Sequence, residues 1–339
     1  MHRAEQLAKT ATRALVALTG SLLLAASATA QTQSTPPPQA PQPTLTQQIA
    51  KTVAFITVPY AEGATTKYVT GTCFLVAVPD ERLGKSMAFE YVVTNRHVAT
   101  AEGVSPSQLL PKVHVRVNLS QPGGEDQAAD TVITLAGGLR WYFPTDPTID
   151  LAVLPSAPKK SIDMKPILVS MFATNEVLQS RSVTIGDSVF FVGYFSQFPG
   201  LHTADPIYRN GAIAMMPEDP ILMRAEGDKK PISEHLYLAD AHAFLGNSGS
   251  PLFVNVGGFR NGVVTAGGLP YYLLGVVNGF IPESADGNVI AATLEVGSKD
   301  NLHSSGVLTF VPAQELWDFL YSPLLKHQRD EAVASMQKH

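Results

Sequence analysis

Short apolar, β-branched runs recur along most of this chain at close intervals, each ended by turn residues. A first set comprises Val53–Val58, Tyr68–Val78, Phe89–Thr94, Val113–Asn118, Thr131–Ala136 and Leu151–Leu154. A polar, proline-bearing connection, Pro155–Pro166, separates it from a second set. That set comprises Val183–Tyr194, Gly211–Met216, Leu236–Ala239, Pro251–Val254, Leu273–Phe280, Val289–Val296 and Gly306–Val311. Runs of this length and spacing are too short for helices and predict strands, and 26 glycines with 25 prolines supply the turns between them. The reading is all-β, with two halves of about six strands each, consistent with two packed antiparallel β-barrels over about 49–160 and 178–311. Only the C-terminus looks helical. Pro312 opens a segment to about residue 322 whose Leu316, Trp317, Phe319 and Leu320 can cover a sheet end. The tail, 323–339, is polar and predicted to be exposed.

The chain of 339 residues is 45% hydrophobic, enough for a sizeable core. A net charge of −5 and the lack of any Lys/Arg block argue against a nucleic-acid partner. Nine histidines are scattered without HExxH or paired-cysteine spacing, so neither a metal nor another cofactor is expected. Cys73 is the only cysteine; it sits in the apolar run Cys73–Val76 and predicts a buried thiol, with no internal disulfide.

The N-terminus reads as an export signal. Arg3, Lys9 and Arg13 precede the apolar run Ala14–Ala26, and Ala28-Thr29-Ala30 offers a small-x-small cleavage site near Ala30. The run is short for a membrane span, so no stable insertion is expected after cleavage, an uncleaved anchor being the other reading. No cysteine follows the site and no twin arginine precedes it, which favours general secretion to a periplasm or beyond. Residues 31–48 are Pro/Gln/Thr-rich and predict a disordered linker, with the folded part beginning near Ile49.

Three polar residues stand in unusual settings. In GNSGSPLF, Gly246 and Gly249 permit a sharp turn that exposes Ser248 and lets backbone N–H groups converge. The stretch is equally an ordinary glycine-rich turn. A serine nucleophile needs a base, and the base needs a carboxylate to fix its tautomer. His97 follows the apolar strand end Tyr91-Val92-Val93-Thr94, where a short helical turn begins. Asp150 directly precedes the apolar run Leu151–Leu154, a costly place for a carboxylate unless it is hydrogen-bonded. Each also has a structural reading: a satisfied histidine, and a turn-capping aspartate. Asp146 competes with Asp150, but its Thr-Asp-Pro setting is turn chemistry. His114 lies inside a strand pattern.

Together these residues resemble the trypsin/chymotrypsin-like serine peptidases. The family carries histidine, aspartate and serine in that order. The matching motifs here are Thr94-Asn95-Arg96-His97, Asp150-Leu151-Ala152-Val153-Leu154 and Gly246-Asn247-Ser248-Gly249-Ser250-Pro251, at separations of 53 and 98 residues. The resemblance implies two six-stranded antiparallel barrels with the site in the cleft between them and a polypeptide substrate. It also implies Ser248 as nucleophile, His97 as general base then acid, Asp150 as orienting carboxylate, and the N–H groups of Gly246 and Ser248 as the oxyanion hole. Ser250 is the rival serine, set one turn beyond those donors. Leu274–Gly279 is similar to the strand that binds substrate backbone, and Ser305–Pro312 to the last pocket strand. That adds Val277, Asn278, Gly279, Phe280 and Gly306 as substrate-binding candidates. By the same spacing, His242 falls at the pocket floor.

The departures matter. Asn247 stands where animal trypsins place the aspartate of their zymogen switch, and no Ile-Val-Gly-Gly start follows a basic site, so no such switch is expected. Without disulfides, the pattern resembles the bacterial branches: glutamyl-endopeptidase-like or Deg/HtrA-type. From the few residues after the terminal helix, no C-terminal PDZ domain is expected. The histidine that glutamyl endopeptidases carry on the pocket strand is Val277 here, and Phe280 narrows the pocket. His242 either favours acidic or polar side chains or is a filled-in wall. A binding module without turnover is the second reading of the whole. A lipase-type elbow would need the order serine, aspartate, histidine.

Overall fold

A computed structural model describes residues 44–84, 87–120, 127–223, 232–260, 263–265, 270–283 and 303–337. The signal 1–30, most of the 31–48 linker and the strand expected at Val289–Val296 lie outside the described residues. The linker reading is corrected at its end, where helix α1 spans Leu45–Ala50. Thr44 and Gln47 form a reciprocal capping box there, satisfying two amides that a disordered chain would leave to water.

The first half carries β1 (Val53–Glu62), β2 (Thr65–Pro79), β3 (Ala88–Thr94), β4 (Lys112–Leu119), β5 (Gln127–Thr134), β6 (Ala152–Ser156) and the short β7 (Ile167–Leu168). Its antiparallel order is β5-β4-β1-β2-β3-β6, with β7 added in parallel to β2. The second half carries β8 (Ser188–Gly193), β9 (Ile207–Met215), β10 (Ile221–Met223), β11 (Ile232–Glu234), β12 (Tyr237–Asp240), β13 (Pro251–Asn255), β14 (Gly258–Arg260), β15 (Val263–Thr265), β16 (Tyr271–Glu283) and β17 (His303–Pro312). Six of these close a barrel in the order β12-β17-β16-β13-β8-β9, and β10–β11 and β14–β15 are two-stranded ribbons. The all-β expectation stands, and a closed six-stranded barrel beside a seven-stranded sheet is consistent with the two-barrel layout.

The two-residue period of the strands explains how the core divides. In β2, Cys73 and Leu75 face a cluster inside the first half with Ile56, Val115 and Leu154. Phe74, Val76 and Val78 point the other way, into a cluster shared with Phe253, Val276 and Val311 of the second barrel. A third cluster fills the second barrel around Phe191, Leu252 and Phe310. Burial pushes the Cys73 thiol up to about 12, as befits an inert core residue.

Helices α2 (Arg96–Ala99) and α3 (Asn175–Ser180) are short, of four and six residues. Helix α4 (Ala313–Leu320) buries Leu316, Phe319 and Leu320 as its pattern predicted. The tail differs from expectation, because Pro323–Met336 forms a further helix, α5, capped by Ser322. Its buried residues, Leu325, Arg329 and Val333, recur every four positions. The middle one is a cation, which masks the stripe in a hydrophobicity count. Arg329 is satisfied inside by the Leu320 carbonyl at 2.8 Å and the Tyr91 hydroxyl at 3.3 Å.

Candidate active site

Register brings the first two polar residues together. Thr94 at the end of β3 lies opposite Ala152 of β6. His97 follows Thr94 by three residues and Asp150 precedes Ala152 by two, so on antiparallel strands both emerge at one sheet end. His97 Nδ1 lies 2.7 Å from Asp150 Oδ2, and the His97 backbone N–H donates to Asp150 Oδ1 at 3.0 Å. The carboxylate therefore grips the helix turn and the ring at once, fixing the imidazole's orientation. Both side chains are mostly buried, with 12% and 17% exposure. Asn95 Nδ2 donates to the Asp150 carbonyl at 2.9 Å and Arg96 donates to the Pro144 carbonyl at 2.7 Å, tying α2 to the aspartate's loop. Asp146 is occupied elsewhere: its carboxylate accepts from the amide and hydroxyl of Thr148, which lower its pKa.

Glu234, at the end of β11, is a neighbour that sequence reasoning missed. Burial first, then the charges of Asp150 and Glu102, push its carboxyl up to about 7, while His97 pulls it down. No motif marks it; only the folded chain brings it near the pair.

The serine turn is built by long-range bonds to the first half. Thr72 of β2 donates its amide to the Ser248 carbonyl at 2.8 Å. Its hydroxyl donates to the Gly246 carbonyl at 2.7 Å and accepts from Tyr194 N–H at 2.9 Å. Gly249 has φ of +86°, and a Cβ there would sit 2.0 Å from the Thr72 carbonyl oxygen and 2.4 Å from Thr94 Oγ1. Only glycine fits so close to the strand that leads to His97. A Cβ on Gly71 would likewise meet both Val98 methyls at 3.0 Å and the Ser248 carbonyl oxygen at 3.1 Å. Val98, the neighbour of His97, and Ser248 thus flank one point. An isolated glycine inside a strand pattern was the available signal for that approach.

Within the turn, Asn247 N–H donates to the Phe244 carbonyl, Gly249 N–H to Val277 and Ser250 N–H to Asn247, at 2.8–3.0 Å. The amides of Gly246 and Ser248 donate to no other described residue. Asn247 is buried, with its Oδ1 accepting from Phe244 N–H and its Nδ2 donating to the Tyr194 carbonyl at 2.9 Å. The neutral amide does locally what a charged residue would need a counterion to do. Half-buried Ser248 donates weakly to the Asn278 carbonyl, at 3.4 Å. Ser250 is fully buried, and a Cβ on Gly193 would fall 1.9 Å from its Oγ, so the rival serine points into the barrel.

The pocket candidates divide. His242 is exposed and its ring lies against Gly306: a Cβ there would be 3.5 Å from His242 Cε1. Asn278 sits at a break in register between β16 and β17, with Oδ1 accepting from Thr309 Oγ1 at 2.6 Å. Gly279 is buried beside it, and Phe280 packs partly against the barrel core. Val277 is corrected: its side chain is fully buried in the barrel core, and its N–H and C=O are taken by Ser250 and Gly249. Both backbone bonds join β16 to the serine turn.

The sequence model of the trypsin-like peptidase domain matches residues 71–259. Among curated proteins nothing matches the chain. Among solved structures it is similar to the HtrA-type protease AlgW with tripeptide, at 18% identity and a TM-score of 0.40, over 80% of this chain and 61% of that one. A substituted form of AlgW with decapeptide is 15% identical with a TM-score of 0.43, over 84% and 66%. The chain spans 59–66% of the length of these AlgW chains.

Proposed function

The chain belongs to the trypsin-like peptidase domain family, and from that premise we propose that it is a serine endopeptidase working through an acyl-enzyme on Ser248. The observation that carries the reading is the 2.7 Å contact of Asp150 Oδ2 with His97 Nδ1. In the proposed reaction the other ring nitrogen acts as the base. In this reading Ser248 Oγ turns from the Asn278 carbonyl toward His97 as substrate arrives. Its oxygen attacks the scissile carbonyl while its proton passes to the imidazole. The amides of Gly246 and Ser248 hold the oxyanion, a contribution of roughly 3 kcal/mol for one donor in comparable sites. The imidazolium then protonates the leaving amine, and water reverses the sequence to release the acid.

The substrate in this proposal is a polypeptide whose acyl side runs along β16, with Asn278, Gly279 and Phe280 beside it and His242 against Gly306 beneath. Export through the Arg3–Ala30 leader, with cleavage near Ala30, belongs to the same proposal and rests on the leader's charge and small-residue pattern. Incubation of the chain from Gln31 onward with an unfolded polypeptide, followed by mass spectrometry of the fragments, tests the reading. Fragments must accumulate with the wild type and be absent with Ser248→Ala. Binding of the polypeptide without any cleavage by the wild type would replace the endopeptidase with a peptide-binding module.

A further inference from the structure

The flank of the serine turn away from β16 carries an apolar surface that the mechanism above does not use. Phe195, just past β8, contacts Phe198 at 5.8 Å between ring centroids and Phe244 at 5.6 Å. Phe198 is 72% exposed and Leu245 50%. An exposed ring packed against neighbouring apolar side chains forms a contiguous surface of the kind that binds partners. The segment that carries them is also held in place. Ser196 bonds the Leu245 carbonyl through its hydroxyl at 2.8 Å and its amide at 3.3 Å. Arg116 of β4 donates to the carbonyls of Gly200 and Leu201 at 2.9 and 2.8 Å.

This surface is continuous with the candidate site. Phe244 and Leu245 directly precede Gly246, and Asn247 bonds both Phe244 and Tyr194. On its other flank the turn meets β16, through Val277 and the Asn278 carbonyl, and His242 rests on Gly306 of β17. With the acyl side on β16, the aromatic flank receives what lies beyond the scissile bond. Arg209 stands 4.7 Å over the Phe244 ring and gives the surface a positive rim.

We propose that Phe195, Phe198, Phe244 and Leu245 form a shelf that binds the leaving side of a polypeptide substrate and selects large apolar or aromatic residues there over basic ones. The proposal rests on the peptidase reading of Ser248 for its orientation. Burying one aromatic side chain on such a shelf gives about a tenfold gain in affinity, equivalent to about 1.4 kcal/mol.

The test uses the Ser248→Ala chain and fluorescent peptides that share one acyl half and carry Phe-Leu, Ser-Asn or Lys-Lys after the scissile position. Fluorescence anisotropy should give about tenfold tighter binding for Phe-Leu than for Ser-Asn, and weaker binding still for Lys-Lys. Adding Phe198→Ser should bring the first two within about twofold. Leu245→Ser is a second variant, since it keeps the carbonyl that Ser196 holds; thermal melting of both checks the fold. Equal affinities for all three peptides, or a preference that survives both variants, overturns the shelf. The peptidase reading is judged separately, by cleavage with the wild type. Apolar preference without cleavage leaves the shelf as a docking surface and removes the enzyme.

Discussion

Thr72 donates its backbone amide to the carbonyl of Ser248 at 2.8 Å, across 176 residues of chain, and its hydroxyl joins the Gly246 carbonyl and Tyr194 amide beside it. One buried threonine in the first half therefore sets the shape of a turn in the second. Thr72→Val keeps the volume and removes the hydroxyl, leaving a buried carbonyl and a buried N–H unpaired. The expected loss is about 2 kcal/mol or more in urea unfolding, with Thr72→Ser close to wild type. If Thr72→Val is as stable as Thr72→Ser, the hydroxyl does not hold the turn.

Asn247→Asp tests the neutral replacement of the trypsin-type aspartate. The amide nitrogen facing the Tyr194 carbonyl becomes an oxygen, and a charge is placed at a site 1% exposed. Destabilisation of about 2 kcal/mol or more is expected at pH 7. It should shrink at pH 4, where the new carboxyl can take a proton and donate again. A variant equally stable at both pH values and matching wild type would show an unrecognised counterion.

Ser250→Ala separates the two serines of the turn. Its Oγ is buried with no hydrogen-bond partner among the described residues, so the substitution should leave stability unchanged or slightly raised. Peptide cleavage should persist. Loss of cleavage in a folded Ser250→Ala chain would reopen the choice of nucleophile.

Glu234 predicts a pH effect on stability. Its folded pKa of about 7 is above its ordinary value, so the folded chain holds a proton that the unfolded chain releases. Between about pH 4.5 and 7 its ionisation lowers stability as pH rises. Glu234→Gln should therefore raise the melting temperature at pH 8 and leave it nearly unchanged at pH 4. Equal shifts at both pH values would mean that the charge is not the cause.

Strand runs are legible because alternation at β4 and the apolar run at β6 follow directly from burial on one or two faces. The strand end at Thr94 and the strand start at Leu151 mark where His97 and Asp150 emerge, and only the pairing of Thr94 with Ala152 joins them. What the sequence hid was long-range or atypical. Thr72 and Glu234 matter through contacts with residues far along the chain, and no local pattern encodes such contacts. Helix α5 reads as a polar tail in sequence because Arg329 interrupts its inward stripe. Val277 is a pocket candidate through the resemblance of its strand, but its place on β16 turns its side chain into the barrel core.

The central claim is that Ser248 is an activated nucleophile served by His97, and covalent labelling addresses it most directly. Wild type, Ser248→Ala, His97→Ala and Asp150→Asn would be treated with a fluorophosphonate and the adduct located by peptide mass spectrometry. The account predicts one adduct, on Ser248, in the wild type, none in Ser248→Ala, and labelling slowed about a thousandfold or more in His97→Ala. No adduct on a folded wild-type chain, or a rate indifferent to His97, would contradict it.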